Sequence, residues 1–136
     1  MPRRTVELTG TQALSLLAGA SLGRIVFTQR ALPAVRPVNH LLDDGQIIIL
    51  THRDSDLFAQ ARDHGERGVV VAYQADDIDP LTHLGWSVVA TGYCSPVTDP
   101  DALARYQRLL RPWSDQVMDC AVRIWPHLVT GIRLAA

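Results

Sequence analysis

Arg36 lies at the centre of the stretch Leu32-Pro-Ala-Val-Arg-Pro-Val-Asn39, and Thr51, His52 and Ser55 follow beyond the next turn. Arg36 and His40 among apolar residues on one half-buried strand face suggest a polar ligand or an interface, and a salt-bridged arginine on a solvated face stands beside that reading. Thr51 and Ser55 bracket a helix start, where unpaired backbone N–H groups and the helix dipole attract anions. The same hydroxyls are the usual caps of a helix, so capping stands beside ligand binding as their reading. Asp54 and Asp56 fall in the same turn and act against an anion. At about 4–6 Å, like charges repel by roughly 1 kcal/mol or more at intermediate dielectric.

Other chemistries find little support. Gly85-Trp-Ser-Val-Val89 lacks the second glycine of a nucleophile elbow, so Ser87 has no hydrolase context. The histidines at 40, 52, 64, 83 and 127 show no zinc-ligand spacing, and no metal site is expected. Asp76-Asp-Ile-Asp79 lacks the glycine and terminal glutamate of a calcium loop. No G-x-G-x-x-G or Walker sequence occurs. Cys94 and Cys120 form no Cys-x-x-Cys pattern and fit buried, reduced thiols.

The elements that would position these residues are mostly strands. Thr9-Gly-Thr-Gln12 has the form of a capping box, and Ala13, Leu14, Leu16, Leu17 and Ala20 form an apolar helical stripe behind it. Gly23–Thr28 reads as a strand, Gln29-Arg-Ala31 as its turn, and Leu32–Leu42 as a second strand. Pro37 inside that strand cannot donate to a ladder, which implies an edge, a bulge or a backbone facing a ligand. Alternation places Arg36, Val38 and His40 on one face and Val35, Pro37, Asn39 and Leu41 on the other. Asp43-Asp-Gly45 is a hairpin turn leading into a third strand, Gln46–Thr51.

A short helix is expected at about Ser55–His64, and an apolar fourth strand at Gly68–Ala75. A polar loop is expected over Ala75–Gly85, then a long fifth strand at Trp86–Val97. Asp99-Pro100 opens a third helix, whose body Ala102–Leu110 ends at Arg111-Pro-Trp113. Cys120–Trp125 and Leu128–Leu134 read as one or two closing strands around Pro126. The expected fold is mainly β with three peripheral helices (α+β), a six- to seven-stranded antiparallel split β-barrel in one domain over residues 1–136.

Size and charge agree with this. The chain has 136 residues, 47% hydrophobic and 20% charged, which is enough for one core. Its formal net charge is -1 and its cations are all arginine, with no basic stripe, so a nucleic-acid partner is not expected. No apolar run approaches the ~18 residues of a membrane span, and the N-terminus lacks a signal-peptide core. A cytoplasmic protein with no membrane partner is expected.

In these pieces the chain resembles the pyridoxamine 5′-phosphate oxidase-like FMN-binding split-barrel family, in its short actinobacterial form. Gly23-Arg-Ile-Val-Phe27, Leu32–Asn39, Asp43-Asp-Gly45 and Gly85–Val89 carry the resemblance, with Leu110-Arg-Pro-Trp113, Val122-Arg-Ile124 and Val129-Thr-Gly131 near the C-terminus. The ordered set runs from about Leu14 to Leu134. The resemblance implies a homodimer with FMN at its interface, acting as an oxidoreductase on a small molecule of unknown identity. It implies that Arg36, Pro37, Val38 and Asn39 line the isoalloxazine ring and that Thr51, His52 and Ser55 hold the phosphate. Trp86 and Ser87 would approach from the facing subunit.

Many relatives carry a cation where this chain has Asp56, and Arg53 and Arg62 are the nearest substitutes in sequence. The dedicated pyridoxamine phosphate reaction is not expected, because the chain is short and has no recognisable basic C-terminal substrate segment. Three alternatives stay open: a deazaflavin enzyme on the same barrel, a non-enzymatic binding or sensor protein with weakened or lost flavin binding, and a haem protein using His40 or His52.

Overall fold

The computed structural model describes residues 3–110 and 118–136. The expected helix break at Arg111-Pro-Trp113, and that part of the family pattern, lie outside the described residues. The chain folds in the order β1 (Arg4–Glu7), α1 (Gly10–Gly19), β2 (Leu22–Gln29), β3 (Leu32–Asn39), β4 (Leu41–Asp43), β5 (Gln46–Thr51), α2 (Asp56–Asp63), β6 (Val69–Ile78), β7 (Gly85–Pro96), α3 (Pro100–Leu109) and β8 (Cys120–Ala135). The strands form one antiparallel sheet in the order β3-β2-β6-β7-β8-β5-β4, with β1 added to β8. The sheet curls into a half-barrel, and β3 approaches β5 across it without pairing, which leaves a seam. This is the split β-barrel that the strand pattern predicts.

Thr9 caps α1 through the complete capping box, its hydroxyl accepting from the Gln12 N–H and the Gln12 side chain accepting from the Thr9 N–H. Ala13 and Leu17 of this helix are fully buried against the main core, with Ile25, Ile47, Ile49, Tyr73, Val88, Ala90 and Ile124. β5 is apolar on both faces because it separates two cores. Ile47 and Ile49 face the main one, while Ile48 and Leu50 pack with Val97, Tyr106, Leu110 and Ala121 beneath α3. The Tyr106 hydroxyl donates to Asp43 Oδ2 at 2.5 Å, and Arg105 pairs with the same oxygen at 2.7 Å. These contacts hold the Asp43 carboxyl below its ordinary range and tie α3 to the β4–β5 turn.

Several boundaries differ from the sequence reading. The expected second strand breaks at His40, so its last part is a separate strand, β4. β6 continues through Asp76-Asp-Ile78 because these residues pair with Ser87, Trp86 and Gly85. Only residues 79–84 turn, around an Asp79 carboxylate that accepts from the N–H groups of Leu81 and Thr82. The closing strand is continuous. Gly92 pairs with Pro126 and Thr91 with Leu128, so His127 is the extra residue of a β-bulge, the setting in which a strand tolerates proline. β1 carries no apolar stripe and escapes a reading based on periodicity.

β3 is a sheet edge, which accounts for both of its prolines. The two-residue turn Arg30-Ala31, at φ 52 and 66, makes Gln29 and Leu32 a hydrogen-bonded pair. Pro33, Val35 and Pro37 then fall at the positions whose backbone groups face outward. Two of these three have no N–H, so no ladder bond is lost and the edge offers little to a passing strand.

Candidate functional site

A cleft of about 380 Å³ opens at the seam between the β2–β3 hairpin, β5 and the start of α2. Its volume falls in the range typical of small-molecule sites. Ile25 and Phe27 of β2, Val38 of β3, Ile49 of β5 and Leu57 of α2 make an apolar floor. They converge because Ile25, Phe27, Arg36 and Val38 share the inward parity of the hairpin, and Ile49 faces them from β5.

Arg36 is the guanidinium of this lining. Its Nη1 donates to the Val35 carbonyl at 3.1 Å, its Nη2 to Gln29 Oε1 at 3.3 Å, and its Cζ lies 5.8 Å from the Phe27 ring centroid. The remaining N–H groups are open to a ligand. The other end of the Gln29 amide donates to the Asp56 carboxylate, so Gln29 bridges cation and anion across the cleft. The sequence reading assigned Gln29 only to a turn. Its inward parity with Ile25 and Phe27 was the available signal.

The β5–α2 turn is a closed set of hydrogen bonds. Thr51 donates to Ser55 Oγ at 2.8 Å, and Ser55 Oγ also accepts from the Phe58 N–H at 3.1 Å. The Ser55 N–H reaches the His52 carbonyl at 3.1 Å, and the Arg53 N–H is held by Asp119 at 2.9 Å. Helix α2 begins at Asp56 with Ser55 as its cap, in agreement with the helix expected at about Ser55–His64. Capping is therefore what the Ser55 hydroxyl does, with Thr51 donating to it. Ser55 Oγ already accepts twice, which leaves its own proton to donate into the cleft.

Among the residues expected to form a site, Arg36, Pro37, Val38, Thr51, His52 and Ser55 do meet around this one cleft, and so do Asp54 and Asp56. Asn39, Trp86 and Ser87 do not line it. Asn39 lies at the far end of β3, paired with Leu22, and its buried Oδ1 finds no partner. Trp86 and Ser87 are consecutive in β7 and project to opposite faces. Trp86 packs against the main core, whereas Ser87 lies on the outer face within reach of Gln74 at 3.4 Å.

His40 is 2% exposed and both ring nitrogens are engaged, Nε2 with the Leu17 carbonyl at 2.8 Å and Nδ1 with the Tyr73 hydroxyl. Burial lowers its pKa, so it is a neutral core histidine and not an axial ligand. Burial also pushes the Cys94 thiol up to about 12 and keeps it protonated. No cluster of potential metal ligands occurs among the described residues. Among the same residues, no helix is long and apolar enough to cross a membrane.

The comparisons with known proteins agree with this architecture. A model of the family described as pyridoxamine 5′-phosphate oxidase matches residues 10–133. An uncharacterized protein of Mycobacterium tuberculosis is 52% identical over 134 residues, covering 98% of this chain and 88% of the relative. A Corynebacterium glutamicum structure, provisionally assigned as a pyridoxamine 5′-phosphate oxidase, superposes with TM-score 0.79 at 30% identity over 99% of this chain and 96% of that one. The FAD binding protein of Mycobacterium smegmatis gives TM-score 0.70 at 25% identity over 96% and 98%. The matched residues include every strand that builds the cleft, and the chain belongs to the pyridoxamine 5′-phosphate oxidase family.

Proposed function

We propose that this protein is a flavin-dependent oxidoreductase acting on a small molecule, with the flavin ring seated in the cleft at the barrel seam. The observation that carries this reading is an apolar floor with one guanidinium fixed at its rim, a donor set that suits a flat heterocycle with a polar edge. The sequence resemblance implies FMN, and the Mycobacterium smegmatis relative is an FAD binding protein; the two cofactors share the same ring. A bound flavin would supply hydride and electron transfer, and the chain's own residues would bind and tune it. Ile25, Phe27 and Ile49 would exclude water from one side. Arg36 would place positive charge against the ring and so favour its reduced form. Ser55 would donate its remaining proton.

The test is the visible spectrum of the protein purified from cells grown with riboflavin, followed by reconstitution of any flavin-free fraction. Oxidised-flavin bands are expected, and Arg36→Met should weaken flavin binding by about 1–3 kcal/mol through loss of a charge-assisted contact. A colourless protein that takes up no flavin would exclude this function.

The assembly we propose is a homodimer, supported by the outer face of the sheet. The register places Val35, Val26, Ala72, Thr91 and Leu128 in one row across five strands, with Val70, Tyr93 and Trp125 in the next. Directly paired residues project to the same side. Val35, Val70, Trp125 and Leu128 are each at least half exposed, so a wide apolar surface lies open on one chain. A two-fold partner is the commonest way to cover such a face. Light scattering should give twice the chain mass, and Leu128→Glu should shift it toward the monomer. A monomeric wild type at micromolar concentration would remove the dimer from this reading.

A further inference from the structure

The cleft does not offer a phosphate the same welcome that it offers a ring. Asp54 and Asp56 both line the end formed by the start of α2, and among the described residues neither carboxylate has a cation within ion-pair distance. Arg62 is paired with Asp63 at the other end of the helix, and Arg53 does not line the cleft. Arg36 is kept on the hairpin side by Gln29, whose amide stands between the guanidinium and Asp56. Of the first-turn amides of α2, that of Phe58 is already given to Ser55 Oγ and that of Ala59 to the Ser55 carbonyl. Asp56 at the first helical position answers the helix dipole from within the chain. A phosphate monoester, with close to two negative charges near neutral pH, meets carboxylates here rather than cations.

Apart from the Ser55 hydroxyl proton, what this end offers is hydrogen-bond acceptors. Gln29 holds only Oδ2 of Asp56, leaving Oδ1 open, and Asp54 makes no hydrogen bond or ion pair among the described residues. An ionised carboxylate is an acceptor only, and hydroxyl groups are its natural neutral partners. We infer that the α2 end of the cleft disfavours a terminal phosphate, so that its residues do not fit the phosphate end of FMN. The site thereby distinguishes flavins by what their shared ribityl chain carries at its end, with FMN as the disfavoured form. This inference rests on the flavin reading above, which concerns the ring alone.

The experiment is a titration of flavin-free full-length protein with riboflavin, FMN and FAD, followed by flavin fluorescence at low and at physiological salt. Wild type, Asp56→Asn and Asp54→Asn are compared, with thermal melting as the check on folding. Asp54→Asn breaks no hydrogen bond among the described residues, so the test survives if Asp56→Asn does not fold. Wild type should bind riboflavin at least as tightly as FMN. Each substitution should move the FMN-to-riboflavin affinity ratio toward FMN by about fivefold, the size expected for one partly exposed charge. The shift should shrink as salt rises, because screening acts within about 8–10 Å. Tighter binding of FMN than of riboflavin by wild type, or a ratio that neither substitution moves, would overturn the inference while leaving the flavin ring in place. Failure of all three flavins to bind wild type would overturn the flavin reading and this inference with it.

Discussion

Gly92→Ala is expected to cost about 3 kcal/mol of stability or more. Gly92 stands opposite Pro126 at the bulge where β8 carries its extra residue, His127. A Cβ at this position would lie 1.8 Å from the Trp125 carbonyl oxygen and 3.1 Å from the His127 nitrogen. Both are backbone atoms, so no side-chain rotation relieves the clash. β8 would have to move away from β7, but its other edge is bonded to β5 and β1. Movement there also displaces Val122 and Ile124, which are fully buried. Urea unfolding should show a lower midpoint with an unchanged slope. Gly10→Ala is the control, because nothing lies within 4 Å of its added Cβ. A loss below about 1 kcal/mol at Gly92 would show that β8 yields locally, and the bulge would not be the rigid corner described above.

The barrel was legible in the sequence wherever local chemistry and tertiary context agree. The Thr9–Gln12 capping box, the Asp43-Asp-Gly45 turn and the Ser55 cap each satisfy backbone groups within a few residues, so their geometry is written locally. Asp76 and Asp77 looked like loop residues, yet they extend β6. Their strand partners and Arg24, 3.9 Å from Asp76, are remote in sequence. Around Pro126 the sequence left one or two closing strands open for the same reason. Only the glycine opposite it allows the chain to continue through a bulge. That Arg36 and Val38 share one face followed from alternation along one strand, and Pro37 came from the family resemblance. Gln29 as the bridge between Arg36 and Asp56 did not, because that contact needs the β2–β3 turn to reach α2 across the seam.

Tyr73→Phe is expected to destabilise the protein by about 1–3 kcal/mol at pH 7.5, through a hydrogen bond that no other group can replace. Tyr73 is fully buried in β6, and its hydroxyl meets His40 Nδ1 while His40 Nε2 meets the Leu17 carbonyl. With Nε2 donating to a carbonyl, Nδ1 is the acceptor and the tyrosine O–H is its donor. Removing the hydroxyl leaves that acceptor buried without a partner. The pin matters for the site because it joins α1, β6 and the end of β3, the strand that carries Arg36 and Val38 to the cleft.

The pH dependence follows from the same burial. The pKa of His40 in the folded protein is held below 6.5, so the folded state keeps it neutral. As pH falls through 6.5 the unfolded chain takes up a proton that the folded chain refuses, and stability falls with it down toward the folded pKa. At the alkaline end burial raises the Tyr73 pKa above 10.0, and stability falls as pH rises past that value because only the unfolded chain ionises. Chemical denaturation at pH 7.5, 6.5 and 5.5 should therefore show declining stability for wild type. His40→Gln should flatten that decline because glutamine does not titrate. An equal decline in wild type and His40→Gln would place the acid-sensitive group elsewhere. A cost below about 0.5 kcal/mol for Tyr73→Phe would show that the pin contributes little to holding β3 against the core.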